Sequence, residues 1–247
     1  MMPSRYLPRW PSMTRDGMLL VLTWAAGCVD AVSYLGLGHV FTAMMTGNTV
    51  LLGLALGQGE ILAALRSINA LVGFAAGVAA GAMIVERDQR EIEWPPVVTI
   101  ALALEVITLG IFAAAWQLAG PVRGAGSVHF LIVLLSFGMG IQAAAVRRLG
   151  VPGIATTYIT GTLTSLMVDL VGWMHSAQAA AAPATGEKTV GAWEQRVGLL
   201  AGVFLLYAFG ALVGGILQTQ SPSLAALSPV IAVALVAANA FLRYGRP

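Results

Sequence analysis

The sequence predicts an all-α, polytopic membrane protein built from two repeats of four segments each. Hydrophobic residues make up 58% of the chain and charged residues only 10%, whereas an ordinary soluble domain has roughly 25% charged residues. The mean hydropathy is +0.83. Eight apolar segments divide the 247 residues, and one Thr-Gly motif occurs in both halves. Together, these observations place the chain in a lipid bilayer.

Charge clusters and stretches rich in proline or glycine separate the apolar segments. The fourth and eighth segments begin after Pro96 and Pro229, which suits the first turn of a helix. The segments lie at 18–37, 40–57, 66–85, 97–118, 128–147, 154–173, 196–218 and 229–243. The predicted organisation is a basic cytoplasmic tail at 1–16, a first membrane repeat at 17–118, a second at 127–243, and a flexible inserted loop at 176–192.

The repeated motif defines the two halves. Leu35–Leu51 aligns without a gap on Leu149–Ser165, with an offset of 114 residues. Each copy carries a Thr-Gly step inside an apolar run, where unpaired polar groups cost several kcal/mol unless protein or water satisfies them. The identical pairs are Leu35/Leu149, Gly36/Gly150, Thr42/Thr156, Thr46/Thr160 and Gly47/Gly161. A helix broken at Thr-Gly in each half is the predicted structure, although small residues at ordinary helix contacts would also produce the match.

Two topologies remain open. If all eight segments cross the membrane, nine of the 13 Lys and Arg residues lie inside. If the second and sixth segments re-enter instead, eleven lie inside, and only Arg66 and Arg123 lie outside. The positive-inside rule favours the second arrangement, which makes the repeats inverted, with three spans and one broken segment each.

Smooth faces of small residues occur in the third and seventh segments. Gly73, Gly77 and Gly81 share one helix face, and the pairs Gly198/Gly202 and Gly210/Gly214 have the same spacing. Such faces let two membrane helices approach closely, so we interpret them as packing surfaces.

Polar residues inside the apolar segments are the candidate functional groups, because a carboxylate in the membrane costs about 2.5–3.5 kcal/mol on insertion scales. Asp30 lies half-way along the first segment, and Gln142 has a comparable place before the second motif. Glu105 is centred in the fourth segment without a basic neighbour. Asp169 lies near the end of the sixth segment, where water is expected to solvate it.

Several classes of function find no support. The single cysteine and three histidines have no ligand-like spacing, so neither a metal site nor a cofactor is predicted. No nucleophile–base set or phosphate-binding loop indicates an enzyme. The net charge of +2 is too small and too dispersed to indicate nucleic-acid binding.

Two blocks resemble the YoaK-like family of bacterial membrane proteins, a family of unknown function. Gly27–Gly59 carries its Gly-x-x-Asp-Ala helix, Met-Thr-Gly-Asn and Gly-Gln loop, and Gly140–Leu166 resembles its second block. The chain departs from many members at Ala143, where they have Asn. The resemblance implies a polytopic protein of the bacterial inner membrane, and it implies no substrate.

The leading hypothesis is a transporter or channel for a small, unidentified solute, with the N-terminus cytoplasmic. The alternatives are a membrane protein that binds a lipid or hydrophobic metabolite, and a membrane enzyme or accessory protein. Besides the lipid bilayer and the solute, the sequence leaves homo-oligomers open as partners. Proton or cation coupling is assigned to Asp30 and Glu105, and the predicted solute-binding residues are Asp30, Thr46, Gly47, Asn48, Thr49, Gln142, Thr160, Gly161 and Thr162.

Overall fold

The computed structural model describes residues 13–88, 90, 92–120, 123–151, 156–157, 159–180 and 187–245. These residues form eight helices and no strand. The helices are α1 (Arg15–Gly36), α2 (Met45–Gln58), α3 (Ile61–Val85), α4 (Pro96–Ala119), α5 (Ala125–Arg148), α6 (Ile159–Ala180), α7 (Glu187–Gln220) and α8 (Pro222–Tyr244). The all-helical prediction is confirmed.

Six of the described helices are long and apolar enough to cross a membrane: α1, α3, α4, α5, α7 and α8. The other two, α2 and α6, begin at the two Thr-Gly motifs. With 14 residues, α2 is about 21 Å long, shorter than the roughly 30 Å hydrocarbon core of a bilayer. The chain is therefore a multi-pass membrane protein.

The break at the first motif and the inserted loop differ from the prediction. The interruption near the first motif lies at residues 37–44, because Thr46–Asn48 belong to the first turn of α2; the predicted break at Thr46–Gly47 was wrong. In the predicted inserted loop, residues 176–180 and 187–192 are helical, and residues 181–186 lie outside the described residues. Of the predicted tail, residues 1–12 lie outside the described residues too.

The eighth helix begins at Pro222 and contains Pro229, which was predicted to start it. A proline inside a helix leaves the carbonyl four residues earlier without its donor. Here the hydroxyl of Ser228 donates to the carbonyl of Ala225 at 3.2 Å and replaces the missing amide. This substitution explains why the helix continues through the proline.

Glycine faces bring two pairs of helices into close contact. A Cβ at Gly77 of α3 would overlap the carbonyl of Phe137 on α5, and one at Gly210 of α7 would overlap the carbonyl of Trp24 on α1. Gly73 and Gly81 also face α5, and Gly214 faces Cys28 of α1, so both pairs run parallel. The predicted packing faces are confirmed at these positions, whereas Gly198 has open space around it.

Contacts between helix ends show the direction of each helix. Met13 before α1 accepts a hydrogen bond from Arg243 at the end of α8 (2.6 Å), and Arg148 at the end of α5 donates to the carbonyl of Asp88 after α3 (2.6 Å). The end of α8 also meets the start of α4, through Tyr244 and Glu93. At the opposite side, Ser223 of α8 donates to Gln117 at the end of α4 (2.8 Å).

The larger of two hydrophobic clusters is built mainly from α1, α4, α5 and α8, with Leu22, Leu102, Phe112, Leu135 and Val233 among its fully buried side chains. The smaller cluster joins α6 to α7 through Leu166, Leu200 and Val203. Around this core, α3 packs on α5 and α7 on α1, while α2 packs on α3 and α6 on α7. The two helices that begin at the motifs therefore lie at the periphery of the bundle.

Candidate functional site

Asp30 of α1 holds the segment between α1 and α2. Its side chain is 3% exposed, and its Oδ1 accepts hydrogen bonds from the backbone amides of Thr42 (2.8 Å), Ala43 (2.7 Å) and Met44 (3.4 Å). Asp30 lies six residues before the end of α1 at Gly36, about 9 Å along the helix axis. Residues 37–44 therefore fold back along α1, and α2 begins at the depth of Asp30.

Tyr207 of α7 completes the environment of this carboxylate by donating its hydroxyl to Oδ2. Four donors from two parts of the chain thus converge on one buried side chain. Charge-assisted hydrogen bonds of this kind offset the desolvation of an ionised carboxylate. Sequence reasoning missed Tyr207, which lies 177 residues from its partner; the only available signal was a hydroxyl in an apolar segment.

Asn48 fixes the same segment from the other side. Its Nδ2 donates to the carbonyl of Phe41 (2.6 Å), and its Oδ1 accepts from the amide of Phe41 (3.0 Å). Gly47 lies under the Phe41 ring, since a Cβ there would come within 2.9 Å of it. By contrast, Thr46 and Thr49 are exposed on the outer face of α2. Asp30, Gly47 and Asn48 therefore converge on residues 37–44, and the two threonines do not.

Gln142 of α5 has the corresponding place near the second motif. It is fully buried, and its Nε2 donates to the carbonyl of Leu22 on α1 (3.2 Å) and to the hydroxyl of Thr156 (3.0 Å). Thr156 aligns with Thr42 in the repeated motif, so Asp30 and Gln142 bind equivalent residues of the two motifs. Asp30 and Gln142 were predicted to have comparable positions, and they also make comparable contacts.

The second motif residues lie in the first turn of α6, so here too the predicted break at Thr-Gly was wrong. Thr160 is exposed and Thr162 is buried. Residues 152–155 and 158, which precede Gly161, lie outside the described residues.

Glu105 lies in the middle of α4, away from both motifs. Its side chain is 0% exposed, and neither carboxyl oxygen has a hydrogen-bond partner among the described residues. Asp169, predicted to be solvated, is instead buried and pairs with Arg196 of α7 at 2.6 Å. That prediction was wrong because α7 extends past its apolar segment and brings a basic residue beside α6.

Comparison with known proteins identifies the family. The model of a family described as a protein of unknown function (DUF1275) matches residues 18–240. The chain belongs to this family. It is 46% identical over 158 residues to the transmembrane protein YoaK of Bacillus subtilis, covering 64% of this chain and 68% of that protein. It is also 29% identical over 238 residues to the transmembrane protein RA0705 of Rhizobium meliloti, covering 96% and 91% respectively. No solved structure matches.

The predicted resemblance to the YoaK-like family is therefore confirmed. The structure also shows what the Gly-x-x-Asp-Ala element of Gly27–Gly59 contacts. The carbonyl of Tyr207 packs directly against Gly27, and a Cβ at Gly27 would overlap this carbonyl. Asp30, three residues after Gly27, binds the hydroxyl of the same tyrosine. The glycine and the acid thus contact one residue of α7 through its backbone and its side chain.

The second half of this DUF1275 chain has the same backbone contact without the polar pair. Gly140 of α5 admits the carbonyl of Phe74 on α3 as Gly27 admits that of Tyr207. Three residues after Gly140 stands Ala143. An alanine and a phenylalanine thus take the places of the acid and the tyrosine, and Gln142 binds the second motif instead.

Proposed function

We propose that this protein is a membrane transporter or channel for a small solute, with its solute path along the starts of α2 and α6. The main support is the irregular backbone at 37–44, which Asp30 and Asn48 hold about 9 Å inside the end of α1. Non-helical backbone at membrane depth is tolerated only where it is buried in protein or lines a water-filled cavity. Transporters build solute sites from such discontinuous segments.

Helix directions support an inverted repeat as part of this proposal. The start of α1 and the end of α5 lie at the same side of the bundle, next to the end of α8 and the segment before α4. The parallel pair α1–α7 has its counterpart in the pair α5–α3, and α2–α3 in α6–α7. In this arrangement the segment that contains α2 enters and leaves the membrane on one side, and the segment that contains α6 does so on the other side. Three spans accompany each of these segments.

The contacts also divide the proposed site residues by role. Asp30 and Asn48 are proposed to anchor the irregular backbone, because their hydrogen-bonding groups already have partners. The solute is proposed to contact the first turns of α2 and α6, where helix amides lack intrahelical acceptors and the positive ends of the helix dipoles lie. Thr46–Thr49 and Thr160–Thr162 belong to these turns. Gln142 and Glu105 keep buried acceptor oxygens without partners among the described residues.

The test is solute flux with purified full-length protein in liposomes. Light scattering after an osmotic jump would report entry of neutral polyols and amino acids, and an enclosed pH-sensitive dye would report weak acids and protons. We expect flux above that of empty liposomes for at least one of these classes. Correctly folded protein without flux for any of them would contradict the proposal.

A matched pair of variants on α2 localises the path. Gly47→Leu would press on Phe41 and Met44, whose atoms lie within 3 Å of a Cβ at this position, whereas Gly53 has nothing within 4 Å. We expect Gly47→Leu to reduce flux at least tenfold and Gly53→Leu to leave it unchanged. Equal flux in the two folded variants would remove the start of α2 from the path.

A further inference from the structure

Several buried side-chain oxygens have no hydrogen-bond partner among the described residues, the Oγ of Ser136 and the Oδ1 of Asn239 among them. Three more belong to Glu105 and Gln142 in the interior of the bundle: both carboxyl oxygens of the acid and the Oε1 of the amide. Both side chains are fully buried. Buried polar atoms are paired in the great majority of cases, and a buried carboxyl group that lacks hydrogen-bond donors needs a proton or a cation beside it.

Helix packing places these two residues at one level. One close contact between α4 and α5 is at Gly138, where a Cβ would lie 3.2 Å from a methyl carbon of Leu109. Glu105 is one turn before Leu109, and Gln142 is one turn after Gly138. Because α4 and α5 run antiparallel, one turn back along α4 and one turn forward along α5 lead toward the same end of the bundle. Residues four apart also share a helix face. Glu105 and Gln142 therefore face the same interface at the same depth.

The orientation of the Gln142 amide is fixed by its neighbours. Its Nε2 donates to the carbonyl of Leu22, which can only accept, so a flipped amide would set two oxygens against each other. Its Oε1 is therefore an obligatory acceptor. With the two oxygens of Glu105, the interface offers three acceptors and one negative charge, which is the chemistry that binds a small cation.

We propose that Glu105 and Gln142 form the binding site of the monovalent cation, a proton or Na⁺, that drives the proposed transport. This assignment rests on the proposed function for its role, although cation binding can be measured without transport. It also separates Glu105 from Asp30, whose carboxylate is already occupied by three backbone amides and the Tyr207 hydroxyl.

No other titratable side chain of the helices packed on α4 lies at the level of Glu105 in the described part of the chain. On α1, which Gln142 reaches at Leu22, Cys28 and Asp30 lie about 9–12 Å farther along the helix. The helices that pack on α4 are α3, α5 and α8. Their titratable residues lie near the helix ends, away from the level of Glu105, and are Arg66 of α3, His129, Arg147 and Arg148 of α5, and Arg243 and Tyr244 of α8. A change in cation occupancy at this depth can therefore be assigned to Glu105.

The experiment uses purified full-length protein in detergent, so it does not depend on finding a solute. Infrared difference spectra between acidic and alkaline pH would detect a carboxyl C=O band that titrates, and thermal unfolding with and without NaCl, against choline chloride, would detect Na⁺. If the cation is a proton, we expect a titrating band that disappears in Glu105→Gln and shifts in Gln142→Leu. If it is Na⁺, we expect specific thermal stabilisation by NaCl that both variants lose.

The control is Glu60→Gln, which removes an exposed carboxyl at the start of α3 and should keep either signal. If Glu105→Gln does not fold, Gln142→Leu alone must still shift the band or lose the Na⁺ effect. Parent protein with neither signal, or either signal unchanged in folded Glu105→Gln or Gln142→Leu, would overturn the assignment. If solute flux is measured but this cation assignment is overturned, the protein is still a transporter or channel, and Glu105 and Gln142 are not its cation site.

Discussion

The hydroxyl of Tyr207 on α7 donates a hydrogen bond to the carboxylate of Asp30 on α1, and the same carboxylate binds the backbone that leads into α2. One acidic side chain thus connects two spanning helices to the helix that begins at the first motif. Near the second motif, Ala143 of α5 and Phe74 of α3 occupy the corresponding places, so the described residues show this acid–tyrosine connection at the first motif only.

Removing the Tyr207 hydroxyl should destabilise the protein without unfolding it. Hydrogen bonds between helices in membranes average about 0.6 kcal/mol, and those to charged groups in proteins reach about 1.5–3 kcal/mol. We expect Tyr207→Phe to lower the free energy of unfolding, measured by titration with denaturing detergent, by about 1–2 kcal/mol. Tyr34→Phe, at a tyrosine that is 36% exposed, is the control and should change it by less than about 0.5 kcal/mol. Equal stability of the two variants would show that the Tyr207 bond contributes nothing.

Substitutions at Asp30 should release the segment at 37–44 in proportion to the acceptors that they remove. Asp30→Asn keeps one oxygen for the amides of Thr42 and Ala43, whereas Asp30→Ala leaves these buried donors unpaired at about 1–3 kcal/mol each. A cysteine placed at the buried Thr42, in a Cys28→Ser background, should be protected in the parent and in Asp30→Asn. In Asp30→Ala it should react with a thiol reagent. Protection in all three would contradict the anchoring role.

Sequence reasoning located the spanning helices because their apolar content is a local property, and it located the glycine faces because their spacing is local too. It could not locate the start of α2. Residues 37–44 include Leu37, Val40 and Phe41 and look like the beginning of an apolar helix. What bends them away from the helical path is Asp30, a residue of the preceding helix. The depth of this segment is therefore set by a contact between elements, which the hydropathy of the segment alone does not show.

The candidate site shows the same limit. Asp30, Asn48, Gln142 and Glu105 were identifiable from polarity inside apolar segments. Their different roles were not identifiable, because the roles depend on which donors reach each side chain. Asp30 has four, while Glu105 has none among the described residues.

Glycine substitutions should separate packing positions from open ones. Gly77→Ala would force a methyl group into the carbonyl of Phe137 and separate α3 from α5, which we expect to destabilise the protein by about 1–3 kcal/mol or more. Gly53→Ala, in the open middle of α2, should be neutral or stabilise by up to about 1 kcal/mol through helix propensity. The measurement is the yield of monodisperse protein and its unfolding temperature. A Gly77→Ala protein as stable as Gly53→Ala would contradict the close α3–α5 contact.

The last prediction concerns orientation in the membrane. Arg148, at the end of α5, donates to the carbonyls of Asp88 and Arg90 after α3, so the ends of these two helices lie on one side of the bundle. If this side of the bundle faces the cytoplasm, eleven of the 13 Lys and Arg residues are cytoplasmic, which is the distribution that the positive-inside rule favours. In a Cys28→Ser background, single cysteines at Arg87 and Arg147, both exposed, should therefore be protected from an impermeant thiol reagent added to intact cells. A cysteine at Gly124, before α5, has open space around it and should react.

The complementary pattern, with Gly124→Cys protected and the other two labelled, would reverse the orientation. Labelling of only one of Arg87→Cys and Arg147→Cys would contradict the parallel packing of α3 and α5, because that packing requires both ends on the same side.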